Sequence, residues 1–303
     1  MSRLLEGLII KGIAGFYYVK SGDGIYRCKA RGIFKQQGIK LAVGDRVSFE
    51  IIEGNDDNWI TELHSRKNRF IRPFITNVEC FVVVVAAARP TPVLGIVDKL
   101  TVMAEKNETE VVICVNKADL AEGDSGRNHK AQRAISDIEG KYAGVYPVVI
   151  LNSETMDGYD RLKELIKGRI VAFAGPSGVG KSTITNNLIP HAEAEIGQIS
   201  AKTDRGKHTT RHSELFTVDD EGTMIFDTPG FTSFELQDID EDELQHYYPE
   251  IMKKMGDCKY GDCRHLSEPG CAIARAVEEG YIHPLRYHSY VEQIKEIRSK
   301  RQY

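Results

Sequence analysis

The sequence predicts a three-part chain of mixed class: an N-terminal all-β barrel of OB-like type, a central α/β domain on a doubly wound sheet, and a mostly helical C-terminal part. Three features point there. Short alternating apolar runs fill the first 70 residues, strands and helices alternate from residue 78 onwards, and a Cys/His cluster sits among helical segments near the end. The expected boundaries are 1–70, 71–235 and 236–303.

In the first part, apolar residues alternate with polar ones over residues 8–10, 15–19, 25–30 and 46–52, broken by glycine turns such as Ser21-Gly22-Asp23-Gly24. Strands this short and regularly spaced fit a five-stranded barrel. Residues 66–73, Arg-Lys-Asn-Arg-Phe-Ile-Arg-Pro, form a basic, proline-ended connector. Residues 78–87 are almost continuously apolar, as a strand buried on both faces must be. Helix and strand then alternate: 95–105, with Ile96, Leu100 and Met103 on one stripe; strand 111–115; helix 129–142; strand 145–151; helix 159–166; strand 170–174; and a helix from Lys181. Strands at 214–218 and 223–226 follow, then an acidic helical stretch at 238–247 and a basic helix at 286–301.

Composition narrows the class. Charged residues make up 28% of the chain and hydrophobic ones 41%, and no apolar run reaches the ~20 residues that span a bilayer. The N-terminus carries Arg3 and then Glu6 instead of an apolar leader, so the expected location is the cytosol and no membrane partner is expected. Cys28, Cys80 and Cys114 are scattered in strand contexts and read as buried thiols. The net charge of −4 is uneven: residues 1–72 hold 13 Lys and Arg against 8 Asp and Glu, a net +5, leaving −9 for the remainder. A basic first part suits an anionic partner, and it equally suits a solvated surface.

Gly175-Pro176-Ser177-Gly178-Val179-Gly180-Lys181-Ser182 matches G-x-x-x-x-G-K-[ST], placed between an apolar strand and a helix. Glycines let backbone N–H groups curl around phosphate oxygens at a helix N-terminus; Lys181 adds a charge at the β- and γ-phosphates, and Ser182, followed by Thr183, a hydroxyl for Mg2+. Asp227-Thr228-Pro229-Gly230 closes a later strand, where Asp227 can hold the Mg2+ shell and the Gly230 amide can reach a γ-phosphate. Asn116-Lys117-Ala118-Asp119 closes another and matches the guanine-selecting N-K-x-D pattern. The Asp119 carboxylate can accept two parallel N–H bonds from guanine, a donor pair that adenine lacks. Lys117 can cover the base and Asn116 can tie its loop to the P-loop; Asn152-Ser153, after the next strand, are placed for a supporting base contact. Between P-loop and Asp227, Gly206-Lys207-His208-Thr209-Thr210-Arg211-His212 is polar and without apolar periodicity, which reads as a switch loop, with Thr210 favoured over Thr209 as its Mg2+ ligand, or as an ordinary solvated loop. Cys258-x4-Cys263-x-His265-x5-Cys271 supplies the ligand set of a closed structural zinc site.

The order of these motifs is inverted. The base-selecting motif precedes the P-loop, so the central domain reads as a circularly permuted P-loop GTPase whose switch region leads straight into the C-terminal part. Together with the 206–210 loop, Asp227-Thr228-Pro229-Gly230-Phe231 and the Cys/His cluster, this order resembles the RsgA family, also called YjeQ or YloQ, over essentially the whole chain. The resemblance implies a GTPase that binds the small ribosomal subunit and its rRNA, acts late in its maturation and binds GTP and GDP; it also implies a monomer. An RNA-binding scaffold with a fixed nucleotide is the rival reading, which GTP turnover stimulated by subunits would exclude. Phe231 stands where Ras-type enzymes carry a water-orienting Gln, so slow intrinsic turnover is expected, and the resemblance maps the water-positioning role onto His208.

Overall fold

The computed structural model describes residues 2–22, 24–52, 58–123, 126–189, 213–227, 231, 236 and 239–300. Its first strand, β1 (Ser2–Ile13), serves two neighbours. Residues Ser2 to Leu8 pair antiparallel with β4, and Leu8 to Ile13 pair antiparallel with β2. Gly7 sits at the changeover, where a Cβ would lie 2.5 Å from Val19 Cγ1 and 2.6 Å from the Lys20 carbonyl oxygen. Only glycine allows that approach.

The remaining strands close a barrel. After β2 (Phe16–Ser21) and β3 (Gly24–Ala30), a short helix α1 (Gly32–Gln36) precedes β4 (Arg46–Ile52) and β5 (Asn58–Leu63). β3 pairs in parallel with β5, and β5 antiparallel with β4, completing the ring β1-β2-β3-β5-β4. Ile9, Val19, Cys28, Val47, Phe49 and Ile60 fill it and are fully buried. Helix α1 and the position of β5 were not legible in the sequence; β5 is a six-residue run behind a polar stretch, and its partners on β3 and β4 define it.

Beyond the barrel come β6 (Arg69–Phe70), β7 (Ile75–Thr76) and the buried strand β8 (Cys80–Ala86). They are followed by α2 (Leu94–Lys106), β9 (Glu110–Asn116), α3 (Gly126–Tyr142), β10 (Val148–Ile150), α4 (Tyr159–Ile166), β11 (Ile170–Ala174) and α5 (Lys181–Leu188). β12 (Glu214–Thr217) and β13 (Met224–Asp227) form a hairpin, and the C-terminal part holds α6 (Pro249–Met252), α7 (Ala272–Glu278) and α8 (Pro284–Lys300). The strand expected at 145–151 is shorter because the amides of Val145 and Tyr146 bond back to the Tyr142 carbonyl and finish α3. In the stretch expected to be helical at 238–247, the described residues form turns and a single 3-10 turn, Leu244–Tyr247, and the Glu241 side chain there is taken by Arg264 and Arg298.

The chain divides into two compact units, residues 1–81, 163–173 and 182–231, and residues 82–162, 174–181 and 232–303. In the first, β11 runs parallel to β13, β13 antiparallel to β12, and β12 meets β1 beside the 2.8 Å Lys11–Glu214 ion pair. In the second, β10 runs parallel to β9, which neighbours β8.

The second unit has an ionic core. Arg286 of α8 is 1% exposed; its guanidinium donates to Asp98 Oδ1 of α2 at 2.7 Å and to Glu250 Oε1 of α6 at 2.6 Å, and lies 4.6 Å from the Tyr248 ring centroid. Lys141 of α3 donates to Asp98 Oδ2 at 2.6 Å, and Tyr142 and Ser289 donate to the same carboxylate. Burial pulls the Lys141 ammonium below its usual range, and Asp98 works against that fall. Every charge in this cluster has a partner, as burial demands. Truncation of Arg286 should therefore destabilise the chain by about 3–5 kcal/mol, because Glu250 stays buried without its cation and Asp98 keeps Lys141 alone. Urea unfolding of Arg286→Ala measures it, and a cost within ~0.5 kcal/mol would refute it.

Candidate functional site

The second unit brings three loops to the carboxyl ends of its strands, and the buried side chain of Asn116 joins them. Asn116 Nδ2 donates to the Val179 carbonyl at 2.9 Å, Ser153 Oγ donates to Asn116 Oδ1 at 3.0 Å, and the Ala87 amide donates to the Asn116 carbonyl at 2.8 Å. The expected tie between base-selecting loop and P-loop is thus formed by a named hydrogen bond. Lys117 adds a second, with its backbone in the left-handed region (φ 62°) and its ammonium on the carbonyls of Gly178 at 2.7 Å and Arg89 at 2.5 Å.

Two glycines explain the tightness of the P-loop. Gly175 has φ +144°, and a Cβ there would stand 2.2 Å from the Val84 carbonyl oxygen. Gly180 has φ +98°, and a Cβ would stand 2.2 Å from Asn116 Nδ2. Pro176, Ser177, Gly178 and Val179 arch between them, Ser177 and Gly178 exposed and Val179 buried. The half-buried Lys181 curls over the arch and donates to the carbonyls of Gly175 and Pro176 at 2.7 and 2.8 Å; burial lowers its pKa. Lys181 opens α5, and Ser182 and Thr183 follow on its exposed first turn, belonging to the first unit. The aligned amides of such a loop-to-helix junction attract anions.

Asp119 is half-buried in a 3-10 turn, Ala118–Ala121, and the Ala118 amide bonds to the Leu151 carbonyl at 3.1 Å. Asn152 is buried; its Oδ1 accepts the amides of Glu154 and Thr155, and its Nδ2 donates to Glu122. Ser153 also bonds to the Tyr159 hydroxyl at 2.9 Å. Asp227 is exposed at the end of β13, and with Ser182 offers the hard oxygen donors that Mg2+ takes. Gly230, His208 and Thr210 lie outside the described residues.

The Cys/His cluster is assembled. One ligand atom from each of Cys258, Cys263, His265 and Cys271 lies within 4.8 Å of the others, and His265 Nδ1 is 3.5 Å from both Cys258 and Cys271 Sγ. Cys263, His265 and Cys271 are buried, and burial pushes the Cys263 thiol up to about 12. Three sulfurs and one imidazole nitrogen at this spread are a donor set of the kind zinc takes. Burial works against the Glu268 carboxylate, yet backbone amides, those of Arg264, Leu266 and Ser267 among them, hold it down at about 2 and so shape the loop between ligands. Sequence reasoning missed Glu268, since nothing in its spacing distinguishes it from a solvated acid.

Phe231 has a structural task. It is 3% exposed and packs edge-on against Phe81 and Phe70, with centroids 4.8 and 5.3 Å away. The ring thus belongs to an aromatic cluster worth about 0.5–1.5 kcal/mol per pair beyond its buried area.

Strand-end loops, a glycine arch before a helix and an N-K-x-D loop bonded to it define a P-loop GTPase with permuted motif order. Comparison places it further. A model of the RsgA GTPase matches residues 63–237 and a model of the RsgA N-terminal domain residues 6–60. A Clostridium perfringens protein named small ribosomal subunit biogenesis GTPase RsgA is 41% identical over 98% of this chain and 99% of its own length. One of the same name from Alkaliphilus metalliredigens is 38% identical over 98% and 99%. Among solved structures, YjeQ from Thermotoga maritima aligns with TM-score 0.83 at 34% identity over 97% of this chain and 99% of that one; YloQ, a circularly permuted GTPase, aligns with 0.81 at 32% over 98% and 96%. The chain belongs to the RsgA family of GTPases and is a GTP hydrolase.

Phe231→Gln should not create a Ras-like enzyme. The amide would replace a ring among Phe70 and Phe81, costing about 2–5 kcal/mol in stability with no gain in GTP turnover. Thermal unfolding and single-turnover hydrolysis together check both halves.

Proposed function

We propose that this chain hydrolyses GTP on the small ribosomal subunit late in its maturation, and that hydrolysis is coupled to release of assembly factors. The observation that supports it most is the junction of Asn116 and Lys117 with the P-loop carbonyls at 2.9 and 2.7 Å, in a family whose curated relatives are named for small-subunit biogenesis. The proposed parts follow the motifs: residues 1–70 as an OB-like barrel facing rRNA with their basic excess, 71–235 as the GTPase domain and 236–303 as the zinc-bound helical domain. The protein acts in the cytoplasm as a monomer; among the described residues no helix is long and apolar enough to cross a membrane.

Asp119 selects guanine by accepting its two N–H donors, with Asn152 and Ser153 supporting the base. The amides of residues 175–183 and the Lys181 ammonium hold the phosphates and neutralise the charge that spreads over the transferred phosphoryl group. Mg2+, when held by Ser182, Thr210 and Asp227, supplies further positive charge there. The Gly230 amide meets the γ-phosphate. His208 turns toward the attacking water when the subunit docks, the task that Phe231 is unable to perform. One zinc ion held by Cys258, Cys263, His265 and Cys271 braces the C-terminal part, and with four protein ligands it leaves no open position.

Asp119→Asn should erase the preference for GTP over ATP by about 100-fold or more, since the paired acceptor is lost; competition between the two nucleotides in equilibrium binding measures it. Purified small subunits should accelerate GTP hydrolysis by the wild-type chain, whereas His208→Ala should lose that stimulation with its GTP affinity unchanged. Equal turnover with and without subunits would remove the ribosomal part of the reading.

A further inference from the structure

The Cys/His cluster has a neighbour that neither spacing nor ligand chemistry announces. The ring of His265 uses its two nitrogens differently: Nδ1 lies 3.5 Å from the Cys258 and Cys271 sulfurs, and Nε2 lies 3.0 Å from Gln245 Oε1. The Gln245 amide is itself oriented, because its Nε2 donates to the Asp242 carbonyl at 3.1 Å and leaves Oε1 as the acceptor facing the ring. His265 also sits in the left-handed region at φ 62°, a conformation that a non-glycine residue keeps only when its surroundings hold it.

Gln245 lies in the 3-10 turn Leu244–Tyr247. That turn is fastened to the ligand loop elsewhere too: Arg264, beside the ligand, donates to Glu241 Oε1 at 2.6 Å and pairs with Asp242 at 2.8 Å. Leu244, fully buried, packs in the same apolar cluster as Cys263 and Cys271. So the stretch 241–247, which continues the chain onward from the Asp227 strand, touches the cluster through charge, apolar packing and one hydrogen bond to a ligand.

We propose that Gln245 is a positioning residue for the metal: by accepting the Nε2–H of His265 it fixes the tautomer and aims Nδ1 at the ion, and through that bond the ion holds residues 241–247 in place. This rests on the reading of the cluster as a zinc site. A hydrogen bond to the far nitrogen of a ligating histidine sets ring orientation and raises ligand basicity, and loss of such a bond weakens metal binding about 10–100-fold.

The test uses the full chain. Zinc affinity is measured by competition with a chromogenic chelator, and site geometry by the visible absorption of the cobalt-substituted protein, for wild type, Gln245→Leu and Gln245→Glu. Wild type should take up one zinc ion and give a tetrahedral cobalt spectrum. Gln245→Leu should bind zinc about 10–100-fold more weakly, with an altered cobalt spectrum and faster amide exchange over 241–247, while Gln245→Glu, which keeps an acceptor oxygen, restores affinity and spectrum. A purely structural glutamine would alter exchange or melting and leave the cobalt spectrum alone. Wild-type zinc uptake with an unchanged affinity in Gln245→Leu would overturn the role of Gln245 while sparing the metal site; absence of uptake by wild type would overturn both.

Discussion

The side chain of Asn116 is the joint on which the nucleotide site depends. Its amide donates into the P-loop, its carbonyl oxygen receives the Ser153 hydroxyl, and its backbone oxygen receives the Ala87 amide, so three strand-end loops share one buried residue. Low polarity around a residue 1% exposed makes each of these bonds costly to leave unmade. The same joint explains Gly180: the amide nitrogen occupies the place where a Cβ would be, and the P-loop can close onto it only without a side chain. The N-K-x-D loop and the P-loop are thereby built as one object, although the two motifs are about sixty residues apart and in inverted order.

A second constraint works at the far end of the chain. Arg286, Asp98, Glu250 and Lys141 come from four helices and neutralise one another away from water. Such a cluster favours one arrangement because a buried charge moved away from its partners here would be left uncompensated. It ties α8 and α6 to α2 and α3, while Glu241 and Gln245 tie the preceding turn to the Cys/His loop. The C-terminal part is therefore held by directional contacts at both ends, with the apolar cluster of Leu244, Tyr248, Ile251 and Tyr290 between them.

Phe231 separates this chain from Ras-type enzymes for a packing reason. Its ring completes a trio with Phe70 and Phe81, so the position after the D-x-x-G glycine is committed to the core of the first unit. In the proposed mechanism, water positioning therefore passes to another loop.

Much of this was legible in the linear chain, because P-loop, N-K-x-D and Cys/His patterns each encode a local geometry in residue type and spacing: glycines for backbone curl, a carboxylate for paired N–H donors, thiolates for zinc. Alternating and continuous apolar runs likewise announced barrel strands and buried parallel strands. The sequence could not announce β5, whose identity lies in its partners on β3 and β4, nor the buried Lys141 and Arg286, which read as ordinary surface cations until helices distant in sequence surround them. Gln245 and Glu268 were hidden for the same cause. Their roles reside in what stands opposite them, and residue type and spacing carry information about near neighbours along the chain, whereas a hydrogen bond across 20 residues to His265 exists only once the chain has folded.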